Sequence, residues 1–591
     1  MTNNTSPLPD RWFYALAATG VLLNATGLFP PILEPDGALY ASIAKTMAQS
    51  GDFVNLYAVG SDWLDKPHFP FWVAAVSFRL FGINTFAYKL PALLFFLAGV
   101  VYTYRFARLM YPKVVAQVAA LVLLTAFHGV VSNSDVRAEP YLTGLIIGAV
   151  YHFWRAFAKG GKLHLIAGSL LTGCALMTKG VFVLVPIGAG LVLHWLITGN
   201  WRELLKPRWY AAMALSFLFT LPEVYTLYQQ FDLHPEKVIF GERGVSGVKF
   251  FFWDSQFGRF FNTGPIKGEG DKFFFVHTLL WAFLPWSLPL YAGTGKAIYG
   301  LVKRRNPLPI QAGPIQAGPI QAGPEYVSLG SGLATFALFS LSGFQLPHYM
   351  NIVFPFFAII TAQFLVSLSS VILRRWAVGQ TIIGVLMVLI TGALLLLVRP
   401  AGLPIALIWV VAAGAGTFLL FRKTDMRSLM GRMVGVMLIF FVSLNLFLYP
   451  TWLHYMAGRT AALAVNAQSN KAPNSQTRET LLYMPGTGVG GGSFWSYEFY
   501  ANDPTRYVRS DQAMRTQVSN GPKLIFTSAA YADSLRAGGF RVRTMATFPY
   551  YHVSTLSADF LNADTRAKTL ESYILAEVLD NKNRDRSLRS E

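Results

Sequence analysis

The sequence predicts a polytopic α-helical membrane protein with a small α/β domain at its C-terminal end. Three observations lead there. Of 591 residues, 53% are hydrophobic and 13% charged, whereas soluble globular chains carry about a quarter charged residues; mean hydropathy is +0.41. Apolar stretches near the roughly 20 residues that cross about 30 Å of hydrocarbon as a helix recur up to residue 456. Beyond residue 457 the long apolar runs stop and charges become frequent.

In chain order the apolar stretches are 12–31, 86–104, 114–132, 140–158, 164–198, 209–226, 277–299, 327–343, 350–372, 378–398, 404–421 and 432–452. Residues 12–31 lack the small-residue cleavage pattern of a signal peptide and read as a retained first helix. The stretch 164–198 holds two short spans broken at Lys179-Gly180. The total is about thirteen crossings.

Orientation follows from the basic residues of short loops. Arg105, Arg108 and Lys113; Arg155, Lys159 and Lys162; Arg202, Lys206 and Arg208; Lys303, Arg304 and Arg305; Arg374 and Arg375; and Arg422, Lys423, Arg427 and Arg432 fill alternate connections. These loops are expected in the cytoplasm with the N-terminus, and the C-terminal domain outside a bacterial cytoplasmic membrane. The net charge of +19 is then mostly a topology signal. No basic and aromatic platform stands apart from the membrane ends, which argues against nucleic-acid binding. The single cysteine, Cys174, excludes an intrachain disulfide.

Residues 1–456 are expected to form the membrane unit, with long outward loops at 32–70 and 227–276. Their aromatics and mixed charges suit helices lying at the membrane surface. Residues 309–324 repeat Pro-Ile-Gln-Ala-Gly, a low-complexity cytoplasmic insertion with too little apolar pattern for a solenoid. Residues 457–591 are expected to form the outer α/β domain, from β-rich runs at 479–484 and 523–527 and a helical pattern at 529–536. Gly486, Gly488, Gly490, Gly491 and Gly492 lack the Lys-Ser/Thr of a phosphate-binding loop and read as an ordinary loop.

Charge in so apolar a chain marks where chemistry is to be sought. The first loop carries Glu34-Pro35-Asp36 ahead of a helical stretch from Tyr40, then Asp65-Lys66-Pro67. Asp36 reads either as a helix N-cap or as a catalytic carboxylate accompanied by Glu34. Lys66 reads either as an anchor reaching to the interface or, stiffened by Pro67 and Pro70, as a fixed ammonium for a phosphate. In Asp135-Val136-Arg137-Ala138-Glu139 the two acids are four apart, which puts both on one face of a helical turn and points Arg137 elsewhere; the alternative is a solvated helix end. Lys179 falls on the outer side, where a buried cation needs an anion. His348 and Tyr349 lie in a short outer loop and read as interfacial anchors or as site residues.

As an ordered set these motifs resemble the bacterial 4-amino-4-deoxy-L-arabinose transferase and its relatives in the large GT-C group, which includes the protein O-mannosyltransferases. The residues that carry the resemblance are Asp36, Tyr40-Ala41-Ser42-Ile43-Ala44, Gly51-Asp52-Phe53, Asp65-Lys66-Pro67, Phe81-Gly82, Asp135 with Glu139, Lys179-Gly180 and Leu346-Pro347-His348-Tyr349. The resemblance implies a GT-C fold with Asp36 as leading catalytic carboxylate, Glu139 in the register of the second acid and Asp135 one turn earlier. It implies that Lys66 and Lys179 contact a lipid phosphate beside Tyr349, with Tyr40, Glu34 and His348 around the substrate. No cofactor is called for with certainty; a divalent metal is the one candidate, with Asp65 in the metal-associated position. Departures are Gly37 and Leu39 where the family often has Glu and Arg, Gln345 where it has a late Lys, and Asp254 where its second loop has His. Two phosphate-side cations of the family are thus absent.

The expected activity is transfer of a sugar from a polyprenyl-phosphate donor to a lipid, glycan or protein acceptor outside the membrane, with inversion. A lipid-linked-sugar transporter or flippase also places charge in a bundle, but would show paired halves with broken helices at corresponding positions. A non-catalytic assembly factor binding through the terminal domain is the third alternative.

Overall fold

Every predicted apolar stretch is helical in the computed structural model, which describes residues 8–303, 325–471, 479–486, 494–519 and 521–580. The Pro-Ile-Gln-Ala-Gly repeat and most of the glycine run lie outside the described residues. The first ten helices are α1 (Asp10–Ala25), α2 (Asp36–Ser50), α3 (Phe69–Phe81), α4 (Thr85–Met110), α5 (Lys113–Thr125), α6 (Phe127–Ser134), α7 (Glu139–Lys159), α8 (Lys162–Lys179), α9 (Leu184–Ile197) and α10 (Pro207–Phe219). Among the described residues six helical segments are by themselves long and apolar enough to cross a membrane, or seven if α5 and α6, bent by 51°, make one span. The expected count of about thirteen also takes in shorter helices such as α1, α9 and Val327–Ser340.

Burial sorts these helices into layers. Every residue of α5 from Val115 to Thr125 is buried, so α5 is the central post, packed by α4, α1 and the helix Phe354–Val366. By contrast, Ser370–Val398 and Leu403–Leu420 bury only a narrow stripe and turn their remaining apolar surface outward, as helices facing hydrocarbon do. Helices α4 and α7 approach backbone to backbone: a Cβ on Gly144 would stand 2.2 Å from the Phe95 carbonyl oxygen. Small residues permit such contact, and contact supplies dispersion where lipid offers no hydrophobic drive.

The chain leaves the bundle through Ala457–Lys471 and builds a five-stranded mixed sheet. Numbering the short loop strands Tyr57–Ala58 and Ser61–Asp62 as β1 and β2, and Val238–Ile239 and Glu242–Arg243 as β3 and β4, the sheet strands are β5 (Thr480–Tyr483), β6 (Thr505–Val508), β7 (Lys523–Ser528), β8 (Phe540–Tyr550) and β9 (Glu571–Asp580). Their order is β6-β5-β7-β9-β8, with β5 parallel to β6 and β7, and β9 antiparallel to β7 and β8. The runs predicted at 479–484 and 523–527 are β5 and β7, and Ala529–Ala537 is the predicted helix.

Gly144→Ala is expected to push α4 from α7 and destabilise the protein by about 1–3 kcal/mol, read as a lower unfolding temperature in detergent. Gly188→Ala in α9, where an added Cβ meets nothing within 4 Å, should leave that temperature unchanged.

Candidate active site

The N-terminal ends of α2 and α7 and the C-terminal end of α8 meet the segment Asp65–Pro70, the helix Ser255–Phe260 and the 3₁₀ turn Pro347–Val353 around one cavity. Its lining holds four cations, Lys66, Arg137, Lys179 and Arg259, and three carboxylates, Asp36, Asp65 and Glu139. The rings of Tyr40, Phe71, Tyr88, Tyr141 and Tyr349 complete the wall. Four cations gathered in one cavity suit an anion that can take over their pairing.

Asp36 opens α2 as its first residue and is not its N-cap, which is Pro35. Its Oδ2 instead pairs with Arg137 at 2.8 Å, while the other arm of Arg137 lies 3.2 Å from Asp135 Oδ2. This corrects two expectations. Arg137 does not point elsewhere: it joins the two acidic clusters. Asp135 and Glu139 do not share a helical face, because the helix stops at Ser134 and restarts at Glu139, with Asp135 at φ −95° and ψ 77° between.

Glu139, buried in the first turn of α7, is ion-paired with Lys179 from the last turn of α8. The Lys179 ammonium also sits 4.1 Å from the centre of the Tyr349 ring, a cation–π contact that strengthens as water is excluded. His348 Nε2 is 3.9 Å from the same Glu139 oxygen. Directly after Lys179 comes Gly180 at φ 91°, where a Cβ would stand 2.4 Å from Gln256 Nε2; the helix Ser255–Phe260 can approach only because no side chain is there.

Asp65 is 3.0 Å from Lys66 and is also ion-paired with Arg259. Burial raises its carboxyl, but Lys66 and Arg259 outweigh that and hold it below the usual carboxylate range. A metal role for Asp65 therefore does not fit: its oxygens face two cations, and among the described residues no three His, Cys, Asp or Glu side chains converge. Asp254, in the position of the family's His, pairs with Lys249.

Glu34 also departs from expectation. It does not line the cavity but turns under the terminal domain, 3% exposed, with hydrogen bonds from Ser496. Burial pushes its carboxyl up to about 8.

Sequence reasoning missed Arg259, one of several charges in an aromatic loop, although its position outside the membrane was legible. With Arg137 it supplies cations in a site where Leu39 and Gln345 bring none. Also missed were the supports. His68 and Glu223 are fully buried and paired at 3.0 Å; the His68 amide donates to Glu223, and His68 Nε2 lies 3.0 Å from the Val54 carbonyl oxygen. They fix the chain two residues after Lys66. The signal was Glu223, an acid inside an apolar stretch. Lys89, wholly buried, donates to the carbonyls of Gly27 and Pro30 and anchors the turn leading to Asp36.

Glu34 yields a prediction. Between its ordinary value of 4.5 and about 8, the folded chain keeps a proton that the unfolded chain has released, so stability falls as pH rises across that window. The upper bound is on the order of 5 kcal/mol. Glu34→Gln should flatten the unfolding temperature between pH 5 and pH 8; an unchanged slope would show that another group carries it.

A family model described as dolichyl-phosphate-mannose-protein mannosyltransferase matches residues 65–225. An undecaprenyl phosphate-alpha-4-amino-4-deoxy-L-arabinose arabinosyl transferase of Pseudomonas aeruginosa is 26% identical over 282 residues, 45% of this chain and 48% of the relative. One from Edwardsiella ictaluri is 27% identical over 367 residues, 61% of this chain and 60% of the relative. The chain thus spans about half the length of the curated relatives it matches. The crystal structure of ArnT from Cupriavidus metallidurans bound to undecaprenyl phosphate superposes with a TM-score of 0.70 at 18% identity, over 96% of this chain and 98% of that one. The protein is a multi-pass membrane protein with the GT-C fold, and it resembles the 4-amino-4-deoxy-L-arabinose transferases in sequence.

Proposed function

We propose that this chain is a glycosyltransferase that takes a sugar from a polyprenyl-phosphate carrier and passes it to an acceptor on the outer side of a bacterial inner membrane. The observation that carries the reading is the cavity at these helix ends, in which four cations gather and each lining carboxylate is ion-paired. Such a carrier keeps its tail in lipid and its phosphate at headgroup depth, where the cavity lies. The relatives' names, which specify undecaprenyl phosphate-linked aminoarabinose, support the donor class; sugar and acceptor stay open among lipid, glycan and protein.

In this reading Lys66, Arg259 and Lys179 take over the phosphate, with Tyr349 as the floor under Lys179. Charge grows on the phosphate as the bond to the anomeric carbon breaks, and preplaced cations stabilise that charge. Asp36 uses one oxygen to hold Arg137 and has the other for an acceptor hydroxyl, from which it takes the proton. The hydroxyl oxygen attacks from the face opposite the phosphate, which inverts the anomeric centre. Glu139 and Asp135 act by orientation, Glu139 on Lys179 and Asp135 on Arg137, while Tyr40 and His348 border the sugar. No step is assigned to a metal.

The test is mass spectrometry of the cell envelope. A strain lacking the gene should lose one glycoconjugate, the wild-type gene should restore it, and Asp36→Asn should restore about two to four orders of magnitude less at equal protein level. Full restoration by Asp36→Asn would remove Asp36 from the chemistry; an envelope that loses no sugar would overturn the reading.

The proposed orientation has the N-terminus inside and the terminal domain outside. In a Cys174→Ala background, cysteines replacing Ser61 and Asn502 should react with a membrane-impermeant maleimide on intact spheroplasts. Those replacing Asn200 and Lys423 should react only after lysis. Labelling of Asn502 only after lysis would place the terminal domain on the wrong side of the membrane to cover the cavity.

A further inference from the structure

Helix α2 has Asp36 at its first residue and Lys45 nine residues on, roughly 14 Å along the axis. Lys45 is 9% exposed although it lies outside the bundle, because its ammonium is inserted into the terminal domain. There it donates to the carbonyls of Glu498 at 2.8 Å, Phe499 at 3.1 Å and Ala501 at 2.6 Å. These belong to the last turn of the helix Phe494–Tyr500 and the residue after it. The last carbonyls of a helix have no partner within it and carry its negative end, so a single ammonium satisfies three of them and pins two helices together.

The same domain grips this segment elsewhere. Ser42 donates to the Trp495 carbonyl, and the Ile32 amide donates to the Tyr500 hydroxyl at 2.9 Å. Beyond α2, Arg509 on the strand edge donates to the Val59 carbonyl and to Ser61 in the β1–β2 turn, four residues before Asp65. The contacts bracket Asp36 and end just short of Lys66. None of them reaches the cavity.

We infer that Lys45 is a positioning residue: through it the terminal domain holds α2 in the register that presents Asp36 to the cavity, so the domain is part of the reaction machinery without lining the site. The role rests on the glycosyltransferase reading for its activity and on geometry alone for the clasp.

The test uses full-length Lys45→Met and Tyr500→Phe proteins in lipid nanodiscs and in the strain lacking the gene. Met keeps the length of the side chain and removes the ammonium; Phe removes only the hydroxyl that receives the Ile32 amide. For Lys45→Met, amide hydrogen exchange over residues 36–50 should speed up at least tenfold while strands β5, β7 and β9 keep their protection. Restored envelope glycoconjugate should fall at least tenfold, whereas binding of undecaprenyl phosphate, used as the probe, should stay within twofold of wild type. Tyr500→Phe should shift exchange and product in the same direction by a smaller factor. A wild-type product level with Lys45→Met overturns the positioning role. So does a loss of probe binding together with sheet protection, which would mark Lys45 as simply structural; if Lys45→Met unfolds the domain, Tyr500→Phe decides by the same criteria. Faster exchange over 36–50 in a strain whose envelope lacks no sugar would leave the clasp standing and sink the glycosyltransferase reading together with the catalytic role of Lys45.

Discussion

An ionised group at the edge of the hydrocarbon layer must find a partner, because the surroundings solvate it poorly, and the site is built on that requirement. Each lining carboxylate is answered from another part of the chain: Asp36 by Arg137, Glu139 by Lys179, Asp65 by Arg259 as well as by neighbouring Lys66. The pairing explains how charges survive in so apolar a chain and also joins the elements that carry them. Moving α8 moves Lys179 and strips Glu139 of its counter-ion; moving the second outer loop does the same to Asp65. Breaking one partner of a buried pair is expensive, so the geometry of the cavity is tied to the packing of the bundle.

The pairing also gives the cavity a definite electrostatic state. Its four cations are engaged by four carboxylates, Asp135 behind Arg137 included, which prevents repulsion among them. In the proposed reaction an arriving phosphate would compete with Asp65 and Glu139 for Lys66, Arg259 and Lys179. Exchanging one anion for another is less demanding than gathering bare cations around a ligand. In the proposed reaction the engaged cations stay in place between turnovers, which is the preorganisation that electrostatic catalysis requires.

Beneath this layer, support comes from buried groups that never meet the cavity. His68 and Glu223 fix the chain after Lys66, Lys89 fixes the turn before Asp36, and Lys45 fixes the far end of α2. In each case a charged or polar side chain binds backbone carbonyls or amides of a loop or of a helix end. Irregular loops at a membrane surface have unpaired backbone groups to satisfy, and satisfying them from a rigid helix sets the loop at the same time.

The sequence by itself determined the membrane class, the helices, the sheet domain and most of the charged residues that line the cavity. Hydrophobic length and the spacing of basic loops are local properties written in consecutive residues, and the bilayer imposes one reading on them. Partnership was not legible. Asp135 and Glu139 were read through a helical period that the break after Ser134 removes; Arg137, Arg259 and Glu223 looked like ordinary loop or helix-end charges; Glu34, two residues from Asp36, faces a different domain. Which cation meets which carboxylate depends on where helices far apart in sequence come to rest, here Arg259 beside Asp65 and Lys45 beneath Phe499. Only packing of the whole chain decides such distances, because an ion pair of a few ångströms has no counterpart in residue spacing.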